Sequence, residues 1–229
     1  MPTRPNVVAF DIIETTFSLE PLRDRLSALG LPGGSLETWF AVGLRDAFAL
    51  AAAGDFAPFR SVLEGALGQV LAEHQVQISG EQRSGVLDMM SRLPPHPDAA
   101  TAFQTLARAG VRIMALSNGA ATATETLLDR AGLAGFVEWI VSVDDVGFSK
   151  PRPEVYRHAV RTAGVAAEEM TLVATHSWDV HGAKAAGLKA AYVRRGRPFP
   201  QTMRAPDLEG EELADVARRL VSVLGGGWA

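Results

Sequence analysis

Val7-Val8-Ala9-Phe10-Asp11-Ile12-Ile13-Glu14-Thr15-Thr16 is an apolar run that delivers one carboxylate, Asp11, and a hydroxyl four residues later, Thr15. A short continuous apolar run of this kind reads as a strand buried on both faces. Asp11 then emerges at its C-terminal end, the edge where open α/β sheets carry their chemistry. Taken alone, Asp11 could equally cap a turn or the helix that follows.

The next stretch carries helical spacing and no strand signal. Leu19, Leu22, Leu26 and Leu29 recur at intervals of three and four, with Gly30 as a stop. Ser35 is the expected N-cap of a helix over 36–53 that ends at Gly54. Asp55 is expected to cap a third helix, and Ser79 a fourth that stops at Pro94-Pro95. From His96 the rhythm changes. Helices over 98–108, 121–130, 153–163, 179–186 and 211–224 alternate with strands over 111–116, 139–143, 171–174 and 190–193. Such alternation implies right-handed βαβ units around a parallel sheet. The expected fold is a doubly wound α/β core, residues 1–17 and 95–229, interrupted by an all-helical cap, residues 18–94. Gly225-Gly226-Gly227 reads as a frayed tail.

At 229 residues, 47% hydrophobic and 21% charged, the chain is long enough for a sizeable core and ordinary for a soluble globular protein. A net charge of -4 gives no broad basic surface, which argues against nucleic acid or an anionic membrane as the main partner. Small anionic substrates remain compatible with it, because a pocket can be locally positive. With no cysteine there is no disulfide, thiolate metal site or Cys nucleophile. Met1 to Asn6 fits no signal peptide, and no apolar run approaches the roughly 20 residues of a transmembrane helix, so a cytoplasmic enzyme is expected. His74, His96, His158 and His181 show no metal-ligand spacing with acidic partners.

Polar groups stand at four strand ends: Asp11 and Thr15, Ser117-Asn118-Gly119, Lys150 within Gly147 to Pro153, and Thr175-His176-Ser177-Trp178-Asp179. In a parallel sheet these ends share one edge, so the groups can converge. Phe10-Asp11-x-x-x-Thr15, Leu116-Ser117-Asn118-Gly119, Lys150-Pro-x-Pro-x-x-Tyr156 and Trp178-Asp179-x-x-Gly182-Ala183-x-x-Ala186-Gly187 together resemble the haloacid dehalogenase superfamily, within it the L-2-haloacid dehalogenase type. The resemblance implies a Rossmann-like core, an Asp11 nucleophile that forms a covalent ester, and no cofactor or metal. By that resemblance Thr15, Ser117 and Asn118 hydrogen-bond the Asp11 carboxylate or the substrate. Lys150 keeps Asp11 ionised, Tyr156 supports Lys150, and Asp179 orients Lys150 and helps position the hydrolytic water. It also implies a homodimer through the cap's apolar helices, and a small anionic organic substrate. Each residue keeps an alternative: Ser117 and Asn118 suit a turn, Tyr156 a helix core, Asp179 a helix cap and Lys150 a solvated loop.

Phosphatases of that superfamily carry a general acid two residues after the nucleophile, where this chain has Ile13, and an acidic magnesium ligand where it has Thr175. A hydrocarbon cannot protonate a leaving oxygen, and Mg²⁺ usually recruits carboxylates. Displacement at carbon is therefore expected, with a magnesium-dependent phosphatase or a non-catalytic relative as the alternatives. The dehalogenase pattern itself has a Tyr and a Gly where this chain has Ile13 and Glu14. Its halide-binding Arg falls near Phe40, with Arg45 the available replacement or else a surface residue. Its Ser and Asn become Ala174 and His176. His176 is a candidate for stabilising the halide or acting on water. Glu14 either points to solvent or faces the pocket, where like-charge repulsion would raise a carboxylate pKa. Trp39, Phe40, Phe48, Phe56 and Phe59 are expected to pack the cap, with one or two over Asp11.

Overall fold

The computed structural model describes residues 7–226. The expectation for Met1 to Asn6, and the frayed tail at Gly227, lie outside those residues. Among the described residues, six strands form one parallel sheet in the order β3-β2-β1-β4-β5-β6. They are β1 (Val7–Asp11), β2 (Arg112–Ser117), β3 (Val137–Ser142), β4 (Met170–Ala174), β5 (Lys189–Val193) and β6 (Leu208–Gly210). The chain winds outward from β1 in one direction through β3, then returns to the other side of β1 with β4. The sheet's switch point therefore lies between the ends of β1 and β4, where such folds bind their ligands.

β1 is buried throughout, and its alternation divides the core. Val8 and Phe10 face a large cluster that continues through the helices after β1, whereas Val7 and Ala9 face a second cluster under α7 (Pro153–Ala163) and α8 (Ser177–Ala185). Phe10 stacks on Phe103 of α5 (Ala99–Arg108), with ring centroids 4.5 Å apart. Between β1 and α5 lie α1 (Pro21–Ala28), α2 (Ser35–Ala53), α3 (Phe59–Glu73) and α4 (Gly80–Asp88). The indole N–H of Trp39 ties α2 to α3 by donating to the Leu63 carbonyl at 2.8 Å. α6 (Ala121–Arg130) connects β2 to β3, and α9 (Leu213–Gly226) closes the chain against α5. No helix among the described residues is long and apolar enough to cross a membrane.

Several local expectations are corrected. β6 was not expected: Leu208-Glu209-Gly210 is too short and too polar to show periodicity, and it forms only because β5 offers it an edge. Ser35 is the first helical residue rather than the cap, which is Gly34. Asp55 does not cap α3, because Pro58 pushes Ala57 out of the helical region and the helix starts at Phe59. Asp179 sits inside α8, whose N-cap is His176. α9 continues through Gly225 and Gly226. Ser79 caps α4 as expected: its hydroxyl accepts from Gln82 N, and Gln82 Oε1 accepts from Ser79 N.

Candidate active site

Asp11 ends β1 and is nearly buried, so its carboxylate depends on protein partners. Lys150 Nζ donates to Asp11 Oδ1 at 2.8 Å, to Asp179 Oδ2 at 2.6 Å and to the Leu116 carbonyl at 3.1 Å, which uses all three of its protons. Thr15 Oγ1 donates to Asp11 Oδ2 at 2.6 Å and accepts from Thr175 N at 2.9 Å, joining the turn after β1 to the end of β4. His176 Nδ1 lies 3.1 Å from Asp11 Oδ2, and its Nε2 lies 2.9 Å from Glu14 Oε2. The four strand ends thus converge on one carboxylate.

Burial alone would push Asp11 up, but the Lys150 ammonium and His176 outweigh it and hold the carboxyl well below its ordinary range. Burial likewise works against the charge on Lys150, while Asp11 and Asp179 raise its pKa, so the ammonium is permanent at neutral pH. Burial and the nearby Asp11 charge raise Asp179 despite Lys150. His176 resists its own burial through the bonds to Asp11 and Glu14, and its pKa rises to about 9. It is therefore an imidazolium donating from both nitrogens. Burial would raise Glu14 as well, yet His176 and then Arg197 bring it below its usual value. Of the two placements open to Glu14, the structure shows the inward one, and the cation between the two acids overrides their repulsion.

Other expected site residues are placed differently. Ser117 Oγ accepts from Gly119 N at 2.9 Å and Asn118 Oδ1 accepts from Lys150 N at 2.9 Å, so neither side chain bonds Asp11. Their role here is to shape the β2 turn and hold the Lys150 backbone. The Tyr156 hydroxyl makes no hydrogen bond to Lys150. The hydroxyl donates to Asp179 Oδ1 at 2.5 Å, and Asp179 passes the support on. Both Asp179 oxygens are thereby engaged, and the residue is fully buried. Arg45 is exposed and bonds Asp46 and Gln69, away from Asp11. Phe40 is buried and stands 6.0 Å from the His176 ring, which stacks on Trp178 at 5.1 Å.

A space of about 10 Å³ lies against Asp11, walled by Ile13, Phe40, Leu44, Phe59, Asn118, His176 and Trp178. That is near the lower limit for one water. On the outer side of Phe40 and His176 opens a cavity of about 480 Å³ whose walls include Glu14, Arg23, His96, Arg195 and Arg197. A third space, about 220 Å³ and mostly apolar, lies across Ile13 and Phe59 towards Ser117 and the start of α6. The expected site did not include Arg195 and Arg197. The signal was present in Arg194-Arg195-Gly196-Arg197 directly after β5, a strand end on the same edge as Asp11.

Magnesium does not suit this donor set. Thr175 Oγ1 donates to the Val193 carbonyl at 2.9 Å, Ile13 offers no side-chain oxygen, and the His176 imidazolium occupies Asp11 Oδ2. Among the described residues no group of three or more His, Asp or Glu side chains is arranged to hold a metal ion.

The family model for haloacid dehalogenase-like hydrolases matches residues 6–187. Haloacetate dehalogenase H-2 of Moraxella sp. (strain B) is 26% identical over 204 residues, covering 87% of this chain and 91% of the relative. The solved structure of the L-2-haloacid dehalogenase from Xanthobacter autotrophicus with chloropropionic acid covalently bound superposes with a TM-score of 0.87 at 25% identity, covering 97% of this chain and 99% of that one. A phosphoserine phosphatase of Thermus thermophilus is 33% identical over 126 residues, which covers 55% of this chain and 51% of the relative.

Proposed function

The chain belongs to the haloacid dehalogenase-like hydrolases, and from that premise we propose that it cleaves the carbon–halogen bond of small 2-haloalkanoates with Asp11 as nucleophile. The observation that carries this reading is an ionised Asp11 facing a small space whose walls are mostly hydrocarbon and aromatic. A carboxylate attacks carbon when its target is held in line and its charge is only partly quenched. Lys150 and Thr15 fix its two oxygens, and the apolar walls strip water from it. Halide leaves with its electron pair and needs no proton, so Ile13 is no handicap. Lys150 and the His176 imidazolium supply the local positive potential that draws in a substrate carboxylate. The Xanthobacter relative carries chloropropionic acid covalently bound, which supports a covalent step here.

In this reading residues 18–94 act as a cap over the core of 1–17 and 95–229, since Phe40 and Leu44 of α2 and Phe59 of α3 roof the space at Asp11. Tyr156 and Asp179 keep Lys150 in register. Activity is tested by anion release from chloro-, bromo- and fluoroacetate, 2-chloropropionate and a generic phosphomonoester, each with and without EDTA. Halide release that survives EDTA, and that falls roughly 10³-fold or more in Asp11→Asn, is the expected result. Silence on every haloacid together with EDTA-sensitive phosphate release would replace the proposal with a phosphatase.

A further inference from the structure

Two groups near Asp11 have no chemical step in the displacement just described, where His176 adds only positive potential and Glu14 nothing, and they are bonded to each other. His176 reaches Asp11 with one nitrogen and Glu14 with the other. Glu14 is held there at some cost. Its φ is +63°, a left-handed conformation that residues with side chains rarely adopt. Its backbone is pinned in that shape, with N donating to the Phe17 carbonyl at 2.8 Å and its own carbonyl 2.9 Å from His96 Nε2. A strained carboxylate aimed at a buried imidazole is a reason to look for a role.

We propose that His176, oriented by Glu14, is the general base that activates water against the Asp11 ester in the second half of the reaction. This rests on Asp11 forming an ester, as read above. Water must attack Cγ of Asp11, one bond from the oxygen that His176 already touches, so a water between them is within hydrogen-bond reach of both. The other groups around Asp11 are unsuited. Lys150 is held as an ammonium and cannot accept a proton. Asp179 is sealed behind it with both oxygens engaged. Thr15 is a hydroxyl. Glu14 and His176 alone among these also line the large outer cavity, which gives a released proton a way out.

The first step itself makes the base. Asp11 attacks carbon, a C–O bond forms, the C–halogen bond breaks and its electron pair departs with the halide. Alkylation erases the Asp11 charge, one of the two carboxylates that keep the imidazole protonated, while burial still favours the neutral ring. His176 then gives up its Nδ1 proton to water, which carries it past Glu14 to the outer cavity, while Nε2 keeps the hydrogen it donates to Glu14. Water adds to Cγ as His176 takes one of its protons. The tetrahedral adduct collapses, the Cγ–O bond to the alkyl group breaks, and the alkoxide takes that proton from His176. Asp11, left as the carboxylic acid, returns its proton to His176 and the starting state is restored. The sum is haloalkanoate plus water giving hydroxyalkanoate, halide and one proton.

The charges that set this balance come from every side: Asp11 and Glu14 after β1, Lys150 before α7, Asp179 within α8, His96 before α5, and Arg195 and Arg197 after β5. α2 contributes the uncharged Phe40 and, on the outer cavity wall, Glu37, which pairs with Arg23 of α1 beside Glu20. Glu14 is a positioning residue here, and its removal should move the pH dependence of ester hydrolysis.

The test follows one turnover of chloroacetate by wild type, His176→Asn and Glu14→Gln. The asparagine variant should release about one halide per protein and then slow by roughly 10²–10⁴-fold. Intact mass should show a carboxymethyl adduct, mapped by peptide analysis to Asp11. The initial burst reports that the variant is folded. Glu14→Gln should keep the burst, slow hydrolysis, and shift the acidic limb of hydrolysis to lower pH, because His176 in the ester form has lost its remaining carboxylate. Steady turnover by His176→Asn without adduct, loss of its burst, or an unmoved limb in Glu14→Gln would each overturn the assignment. A wild type that releases no halide from any haloalkanoate would instead remove the displacement reading beneath it.

Discussion

Lys150 neutralises two carboxylates at once, so its loss should exceed the loss of either acid. In Lys150→Met, Asp179 remains buried without a counter-charge and Asp11 keeps only His176, and such stranded charges typically cost about 3–5 kcal/mol. Urea unfolding at neutral pH should show a drop of that order, and adding Asp11→Asn should recover part of it. Little change on Lys150→Met would mean the ion pairs contribute no net stability. His176 provides a test with the opposite dependence on pH. Its folded pKa, about 9, lies above its ordinary 6.5. The stability it supplies is therefore full below about pH 6.5 and lost as pH rises through about 9, on the order of 3 kcal/mol. The difference in unfolding free energy between wild type and His176→Gln should shrink from pH ~7 to ~10, and a flat difference would contradict the bridge to Asp11 and Glu14. Asp11, Lys150 and Asp179 were legible in the sequence because strand ends converge whatever the loops between them do. The partners of Ser117 and Asn118 were not, because they depend on how the β2 turn folds back.

At the scale of elements, the closest approach in the site's support is that of α8 to α7. A methyl group added at Gly182 would stand 2.6 Å from both the Tyr156 hydroxyl and Pro151 Cβ. Neither can yield far, so Gly182→Ala should push Tyr156 off Asp179 and cost about 1–3 kcal/mol. Turnover should fall with it, through Lys150. Ser79→Ala, which removes the α4 capping box, should cost about 1 kcal/mol and leave turnover unchanged. Equal effects of the two substitutions on turnover would argue that Gly182 matters only for stability. The same contact explains why the Trp178 to Gly187 motif was readable: its glycine is fixed by a packing distance. Helix starts were less readable where a cap-type residue competed with geometry. Asp98 bonds Leu213 N and Arg195 instead of its own helix, and Pro58 overrides Asp55. Arg45 takes the surface placement, not that of an arginine standing in at Phe40, for a simpler reason: five residues turn a helix by about 140°, whereas Leu44 at four shares the Phe40 face.

Across the whole molecule, chain winding brings β1 and β4 side by side, and the long excursion between β1 and β2 lays α2 and α3 over their ends. Under the reading proposed above, substrate size is decided by residues far in sequence from Asp11. Phe40 is the clearest case, because it lines both the space of about 10 Å³ at Asp11 and the outer cavity of about 480 Å³. Its ring is a partition between them. Phe40→Ala should join the two spaces, raising kcat/KM for 2-chlorobutyrate relative to chloroacetate. Full truncation of a buried phenylalanine costs about 3–5 kcal/mol, so Phe40→Leu, which keeps much of the packing, serves as the milder companion. Both should shift preference towards the longer acid, with Phe40→Ala shifting further and losing more stability in urea. Water also enters more freely once the partition is gone, so absolute turnover of chloroacetate should fall even though Asp11 and its ion pairs are intact. An unchanged ratio of the two substrates in both variants would mean that Ile13, Phe59 or Trp178, rather than the α2 face, limits the length of acid admitted.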